Sequence, residues 1–180
     1  MVPSSTGNGG TDREEASLII RPADMTDLEA ILAIYNDAVL TTTATFDLEP
    51  RTHEAQLAWF EEHTPPHPVI VGDEDGRVTG WGSLSPFATR PAYRFAAEVS
   101  VYVDSDARGR GTGERLVREL MTLGRLFGLH TLVGKITEEN EASIRLVEKL
   151  GFKRTGLLEE VGFKFDHWLD VAVYQYRCAE

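Results

Sequence analysis

The sequence predicts an α/β (α+β) domain: a mixed, mostly antiparallel sheet with a central parallel strand pair and helices on both faces. Three observations predict it. The middle of the chain runs strand, glycine-rich loop, helix, strand, helix, the order that sets successive strands parallel. Both flanks carry strand pairs joined by short turns, the order that sets them antiparallel. The composition also permits a core, since 42% of the 180 residues are hydrophobic and 26% are charged.

Charge and length exclude several function classes. Lys and Arg number 18 against 29 Asp and Glu, a net charge of −11, and such acidity argues against a nucleic-acid partner. No run approaches the ~20 apolar residues of a membrane helix, so no membrane partner is expected. Residues 1–16, rich in Gly, Ser, Thr and acids, read as a flexible tail, and 17–180 as a single domain. That tail has neither a basic start nor an apolar stretch, so it does not read as a signal peptide. Cys178 is the sole cysteine, which rules out an internal disulfide, and it reads as an ordinary thiol at a fraying terminus. A reducing cytoplasm is the expected compartment.

The elements follow in order. Leu18 to Arg21 reads as a short strand broken by Pro22. Thr26 and Glu29 have the spacing of a capping box, and Leu28, Ile31, Leu32, Tyr35 and Val39 follow at helical spacing. A second helix is expected after Thr52 with Leu57 and Phe60 inward, ended by Thr64-Pro65-Pro66-His67-Pro68. Val69-Ile70-Val71, a turn over Gly72 to Gly76, and Val78 to Leu84 make a hairpin. Ala97 to Val103 alternates strictly, with Ala97, Val99, Val101 and Val103 on one face and Glu98, Ser100 and Tyr102 on the other. Leu116, Leu120, Leu123 and Phe127 mark the next helix, and Thr131 to Thr137 the next strand. Asn140 to Leu150 is a helix closed by Gly151, and Phe152 to Tyr176 reads as two strands joined near Asp166 and His167.

The loop Asp104 to Glu114 carries the chemistry. It follows a strand, holds Gly109, Gly111 and Gly113, and opens a helix. Glycines let backbone N–H groups approach an anion, and a helix N-terminus adds partial positive charge. Arg108, Arg110, Arg115 and Arg118 against Glu114 make residues 108–118 locally +3. This is a phosphate or pyrophosphate cradle. A P-loop is excluded because its Gly-Lys pair is missing, and the glycine spacing departs from the dinucleotide fingerprint.

Arg108-Gly109-Arg110-Gly111-Thr112-Gly113 resembles the Arg/Gln-x-x-Gly-x-Gly/Ala loop of the GNAT superfamily of N-acetyltransferases. Asn140 to Ile144 and Leu150-Gly151-Phe152 resemble that superfamily's following helix. Thr43 to Phe46, Arg90 to Arg94, Glu98 to Val103 and Val161 to Lys164 with Trp168 to Val171 are similar to its phosphinothricin and methionine sulfoximine acetyltransferase branch. The resemblance runs from about residue 18 to residue 177.

What the resemblance implies is specific. Acetyl-CoA would be the co-substrate, its pyrophosphate on residues 108–113 (Arg108, Gly109, Arg110, Gly111, Thr112, Gly113). Its pantetheine arm would lie along Val101, Tyr102 and Val103, where that strand splays from Thr131–Thr137. Asn140, with Ser143 one turn on, would reach the arm, although Asn is also a plain N-cap. The acceptor would be the amine of a small amino-acid-like molecule. Glu98 is the candidate base: a mid-strand carboxylate among apolar residues needs a function or a partner, and Arg94 is one candidate partner. A backbone N–H near Val101 would stabilise the developing oxyanion. Phe46, Thr89, Arg90 and Tyr93 are the expected substrate residues, Arg90 for a carboxylate. Many members carry a Tyr or His general acid in the slot that holds Val147 here, so that role is unassigned; Tyr102 and Tyr174 read as sheet residues. His53, His63 and His67 read as solvated and have no metal spacing, and no metal is required. Relatives of the branch are often homodimers, which makes a homodimer possible here, with Trp168 and Asp170 structural or near the interface. Two rival functions remain: a protein or peptide N-terminal acetyltransferase, and a non-catalytic acyl-CoA-binding module.

Overall fold

The computed structural model describes residues 17–178; the segment read as a tail, 1–16, lies outside them. The elements are β1 (Leu18–Pro22), α1 (Leu28–Thr41), α2 (His53–Glu62), β2 (Val69–Glu74), β3 (Arg77–Pro86), β4 (Ala96–Val103), α3 (Thr112–Leu126), β5 (Thr131–Thr137), α4 (Glu141–Lys149), β6 (Lys153–Lys164) and β7 (His167–Arg177). They build a seven-stranded sheet of order β1-β2-β3-β4-β5-β7-β6. Its pairings are antiparallel except β4 with β5, which is parallel.

Two cores hold the helices to the two faces. Ile31, Ile34, Tyr35 and Val39 of α1 pack on Val69, Val71 and Trp81, with Trp59 and Phe60 of α2 at the edge. Leu116, Val117, Leu120 and Met121 of α3 and Val147 of α4 pack on Ile70, Leu84, Ala97, Leu132 and Tyr174. α3 lies very close to the sheet because glycines seat it. A Cβ on Gly80 would stand 3.0 Å from the Tyr102 carbonyl oxygen and 3.2 Å from Thr112 Cγ2; one on Gly82 would stand 3.0 Å from Leu120 Cδ1. The seat fixes where the N-terminus of α3 points.

Several local expectations are corrected. The capping box is Asp24 with Asp27, one turn before α1, not Thr26 with Glu29: Asp24 Oδ1 accepts from Thr26 N and Asp27 Oδ2 from Asp24 N. Asp27 wins because Arg21 also grips it, at 2.7 and 2.8 Å, tying β1 to the helix start. In α2 the fully buried residue is Gln56, bonded to Arg51, while Leu57 and Phe60 are half-buried. On α3 the buried face turns through Val117, Met121 and Gly124 rather than Leu123 and Phe127. Gly72 belongs to β2, and the hairpin turns at Asp75 and Gly76, both at positive φ. Cys178 is buried against Gly124, its N–H bonded to the His130 carbonyl, and burial pushes its thiol above the ordinary range.

His63 is not solvated. Its Nδ1 lies 2.6 Å from the Trp59 carbonyl, which can only accept, so Nδ1 carries the proton and Nε2 accepts from Ser85 Oγ at 2.9 Å. Desolvation holds the imidazole below its ordinary value of 6.5. A depressed folded-state value means stability is present above pH 6.5 and is lost as pH falls through the folded value. Thermal unfolding between pH 7 and pH 5 should therefore lose less melting temperature in His63→Gln than in the parent; equal losses would contradict a buried neutral ring.

Candidate active site

The site begins where β4 and β5 part. The parallel register holds for Ala96 to Glu98 against Thr131 to Val133 and then stops. Beyond it β5 pairs only with β7 and β4 only with β3. The hydrogen bonds Asp104 N to Thr79 O and Phe87 N to Ala96 O set which residues of β4 bond to β3. By alternation these are the even-numbered ones, so the N–H and C=O groups of Val99, Val101 and Val103 face the fork. Tyr102 does not offer its backbone there. Its ring stacks on Trp81 at 4.9 Å and meets Tyr35 edge-on, and burial raises its phenol far above the ordinary value.

The fork opens into a cleft of about 1180 Å³. Glu98, Val99, Val101 and Val103 line one wall; Lys135, Thr137, Asn140 and Ser143 line the other. The glycine loop closes one end. Gly109 and Gly111 lie at φ +78° and +89°, where a side chain is strained, and the space around each Cβ position is open. Gly111 is the N-cap of α3 and supplies no side-chain cap, so the first amides of a 15-residue helix are left unsatisfied. Thr112 Oγ1, buried beside them, has no hydrogen-bond partner. Of the arginines, Arg108 lines the cleft and donates to the Val103 carbonyl at 3.3 Å. Arg110 reaches Glu74 instead, and Glu114 is held by Arg118 and Lys149.

Glu98 sits on the cleft wall where the strands part. Its partner is Lys135, whose Nζ donates to Glu98 Oε2 at 2.7 Å, not Arg94, which lies over the Phe95 ring. Asn140 caps α4 by accepting from Ser143 N at 3.2 Å, and both residues also line the cleft. Val147 is buried in the core, 8% exposed, and presents no acid. Tyr174, buried in β7, donates to Glu148 and is a sheet residue as expected.

The four expected substrate residues separate. Phe46 lines the cleft, its ring lying against Gly162 of β6. Tyr93 lines a second hollow of about 530 Å³ with Phe87, Phe95, Val133 and Val173. Thr89 and Arg90 are exposed and line neither. Two contributors were missed by sequence reasoning. Val99 needed only the hydrogen-bonding parity of β4, and Lys135 is a charge in an apolar strand, the same signal that singles out Glu98.

Comparison with known proteins agrees with this geometry. Residues 31–152 match the Acetyltransferase (GNAT) family. The chain is 38% identical over 164 residues to an L-methionine sulfoximine/L-methionine sulfone acetyltransferase of Salmonella typhimurium, covering 91% of this chain and 96% of that protein. An N-acetyltransferase structure from Staphylococcus aureus superposes with TM-score 0.88 at 43% identity, covering 91% of this chain and 99% of that one. A phosphinothricin acetyltransferase from Sinorhizobium meliloti, solved in complex with AcCoA, superposes with TM-score 0.86 at 35% identity over 89% of this chain and 88% of that one. With likeness of this level across nine-tenths of its length, the chain belongs to the GNAT acetyltransferase family and is an N-acetyltransferase.

Proposed function

We propose that the protein transfers acetyl from acetyl-CoA to the α-amine of a small amino-acid-like acceptor of the methionine sulfoximine or phosphinothricin type. The observation that carries it is Glu98 on the wall of a cleft that ends in an anion cradle. The relatives that acetylate methionine sulfoximine, methionine sulfone and phosphinothricin support the acceptor class.

The residues fit acetyl-CoA. The unsatisfied amides at the start of α3, the orphaned Thr112 hydroxyl, the open glycine loop and Arg108 suit a pyrophosphate. Residues 108–113 would hold it by backbone amides, with the Arg110 side chain turned away. The free edge of β4 suits an extended amide-bearing arm, bonded by Val99, Val101 and Val103, with Asn140 and Ser143 opposite. When bound, acetyl-CoA supplies an acetyl group activated as a thioester.

The chain's own residues do the rest. An amine is mostly protonated near neutrality, and Glu98 accepts its proton directly or through one water. The Val101 N–H, aimed into the fork, donates to an oxygen that gains charge. Thr43, Ala44 and Phe46 wall the cleft against water. No general acid is needed, because a thiol of ordinary pKa near 8.5 makes a tolerable leaving group. The test is thiol release from acetyl-CoA over a panel of amino-acid analogues, polyamines and N-terminal peptides. Turnover confined to the analogues is expected; turnover confined to peptides would overturn the acceptor class.

We also propose a homodimer in a cytoplasmic setting. β6 is an edge strand, and Leu157, Phe163 and Trp168 on this hairpin are 39%, 51% and 61% exposed. An apolar patch on a sheet edge calls for a cover, and a second copy supplies one. Asp170 belongs to the hairpin itself, accepting from Glu160 N at 2.7 Å. Sedimentation should show a dimer, and Trp168→Asp a monomer; a monomeric parent would refute the dimer.

A further inference from the structure

We infer that Lys135 anchors the acceptor's carboxylate, so that an α-amino acid docks as a zwitterion between Glu98 and Lys135. The inference deepens the acceptor reading above and rests on it. The contact of Lys135 Nζ with Glu98 Oε2 at 2.7 Å places an ammonium against a carboxylate inside the cleft. An α-amino acid carries the complementary pair on one carbon. Its ammonium suits Glu98 and its carboxylate suits Lys135, so one internal ion pair is exchanged for two. The exchange is easy because both side chains are partly exposed, 42% for Lys135 and 30% for Glu98, and such pairs hold weakly. Docking in this way also brings the amine to the base, which takes one of its protons and leaves the neutral nucleophile.

The surroundings set the side-chain class. Glu98 is paired in register with Val133, and Lys135 with Val173, so all four share one face of the sheet. Val133 and Val173 line the second hollow, walled by Phe87, Tyr93 and Phe95. Lys135 Nζ lies 5.6 Å from the Phe87 ring centre, and Tyr93 meets that ring edge-on. The ion pair thus stands between the cofactor cleft and an apolar hollow of about 530 Å³. A compact acceptor side chain, mainly apolar, fills the hollow while the charged groups stay at its rim. The other cations of the cleft lie elsewhere: Arg108 is bonded to Val103, and His167 is held by Glu139. Arg90, the carboxylate partner expected from sequence, is exposed and lines neither space.

The test compares methionine sulfoximine with the amine of the same side chain lacking the carboxylate, by calorimetry on the protein without acetyl-CoA and by steady-state kinetics. Lys135→Ala should raise Kd and KM for the amino acid by about 10- to 100-fold relative to the carboxylate-free amine, the worth of a charged hydrogen bond, while the amine itself loses no affinity, because Glu98 no longer has to leave Lys135 to receive it. Lys135→Arg should restore most of the affinity. An unchanged preference for the carboxylate in Lys135→Ala, or equal losses for both ligands, would overturn the anchor, as would failure of the parent protein to bind the amino acid. Absence of turnover with every amine would overturn the acceptor reading itself. In that case the calorimetric preference still decides Lys135: its loss in Lys135→Ala upholds the anchor, and its persistence overturns it.

Discussion

Glu98→Gln should lower kcat by about 10²- to 10⁴-fold, the usual worth of a positioned general base, with little change in acetyl-CoA affinity. The two effects separate because Glu98 stands where β4 and β5 part, beside Lys135, while the glycine loop proposed to hold the pyrophosphate lies beyond the far end of β4. Glutamine keeps the size and one accepting oxygen, so Lys135 retains a hydrogen-bond partner and the sheet is undisturbed. What is lost is the capacity to take a proton from the amine. Stopped-assay thiol release, with acetyl-CoA binding followed by calorimetry, reads both quantities. Unchanged acetyl transfer would remove the base assignment. A parent protein that bound acetyl-CoA but turned nothing over would instead favour a non-catalytic binding module.

The second large effect is expected far from the reacting atoms. Gly80→Val should destabilise the fold by about 1–3 kcal/mol, the cost of forcing extra methyl groups into a packed interior. At Gly80 the added Cβ meets the Tyr102 backbone carbonyl of β4 at 3.0 Å, which cannot swing away, and crowds the α3 side-chain ends Thr112 Cγ2 at 3.2 Å and Leu116 Cδ1 at 3.3 Å; the two further methyl groups of valine then push α3 off the sheet. Thr112 is the first residue of α3, and lifting it displaces the amides that face the cradle. Weaker acetyl-CoA binding should therefore accompany the lower melting temperature. Gly76→Ala is the control: that turn glycine has φ +86° and open space around it, so it strains the backbone without touching α3. A Gly80→Val protein with normal acetyl-CoA affinity would show that the glycine seat does not position the cradle.

Legibility in the sequence followed distance along the chain. β5 was readable residue for residue, and Gly151 at φ +90° closes α4 where the glycine signal put it. The glycine loop that opens α3 was readable because its glycines, its charge reversal and its helix start lie within eleven residues. Features that need register were not. The Glu98–Lys135 pair spans 37 residues and exists because three parallel pairs align the strands before they part. Which amides of β4 face the fork depends on its pairing with β3, and side-chain alternation alone neither separates Tyr102 from Val101 and Val103 nor brings in Val99. The cap at Asp24 and Asp27 prevailed over Thr26 and Glu29 because Arg21, from another element, completes it. His63 looked solvated at a helix end, but Ser85 from β3 and the Trp59 ring, 4.0 Å away, enclose it. The loop before Glu98 was the least legible part, since Thr89 and Arg90 carry chemistry suited to an acceptor yet stand outside both hollows.

The most direct test is a competition in one vessel: limiting acetyl-CoA, methionine sulfoximine and an N-terminal peptide at equal concentration, with products identified by mass spectrometry. Acetylation of the sulfoximine at its α-amine, with the peptide untouched, is the expected result. Acetylated peptide beside unreacted sulfoximine would contradict a small amino-acid-like acceptor and assign the cleft to protein N-termini.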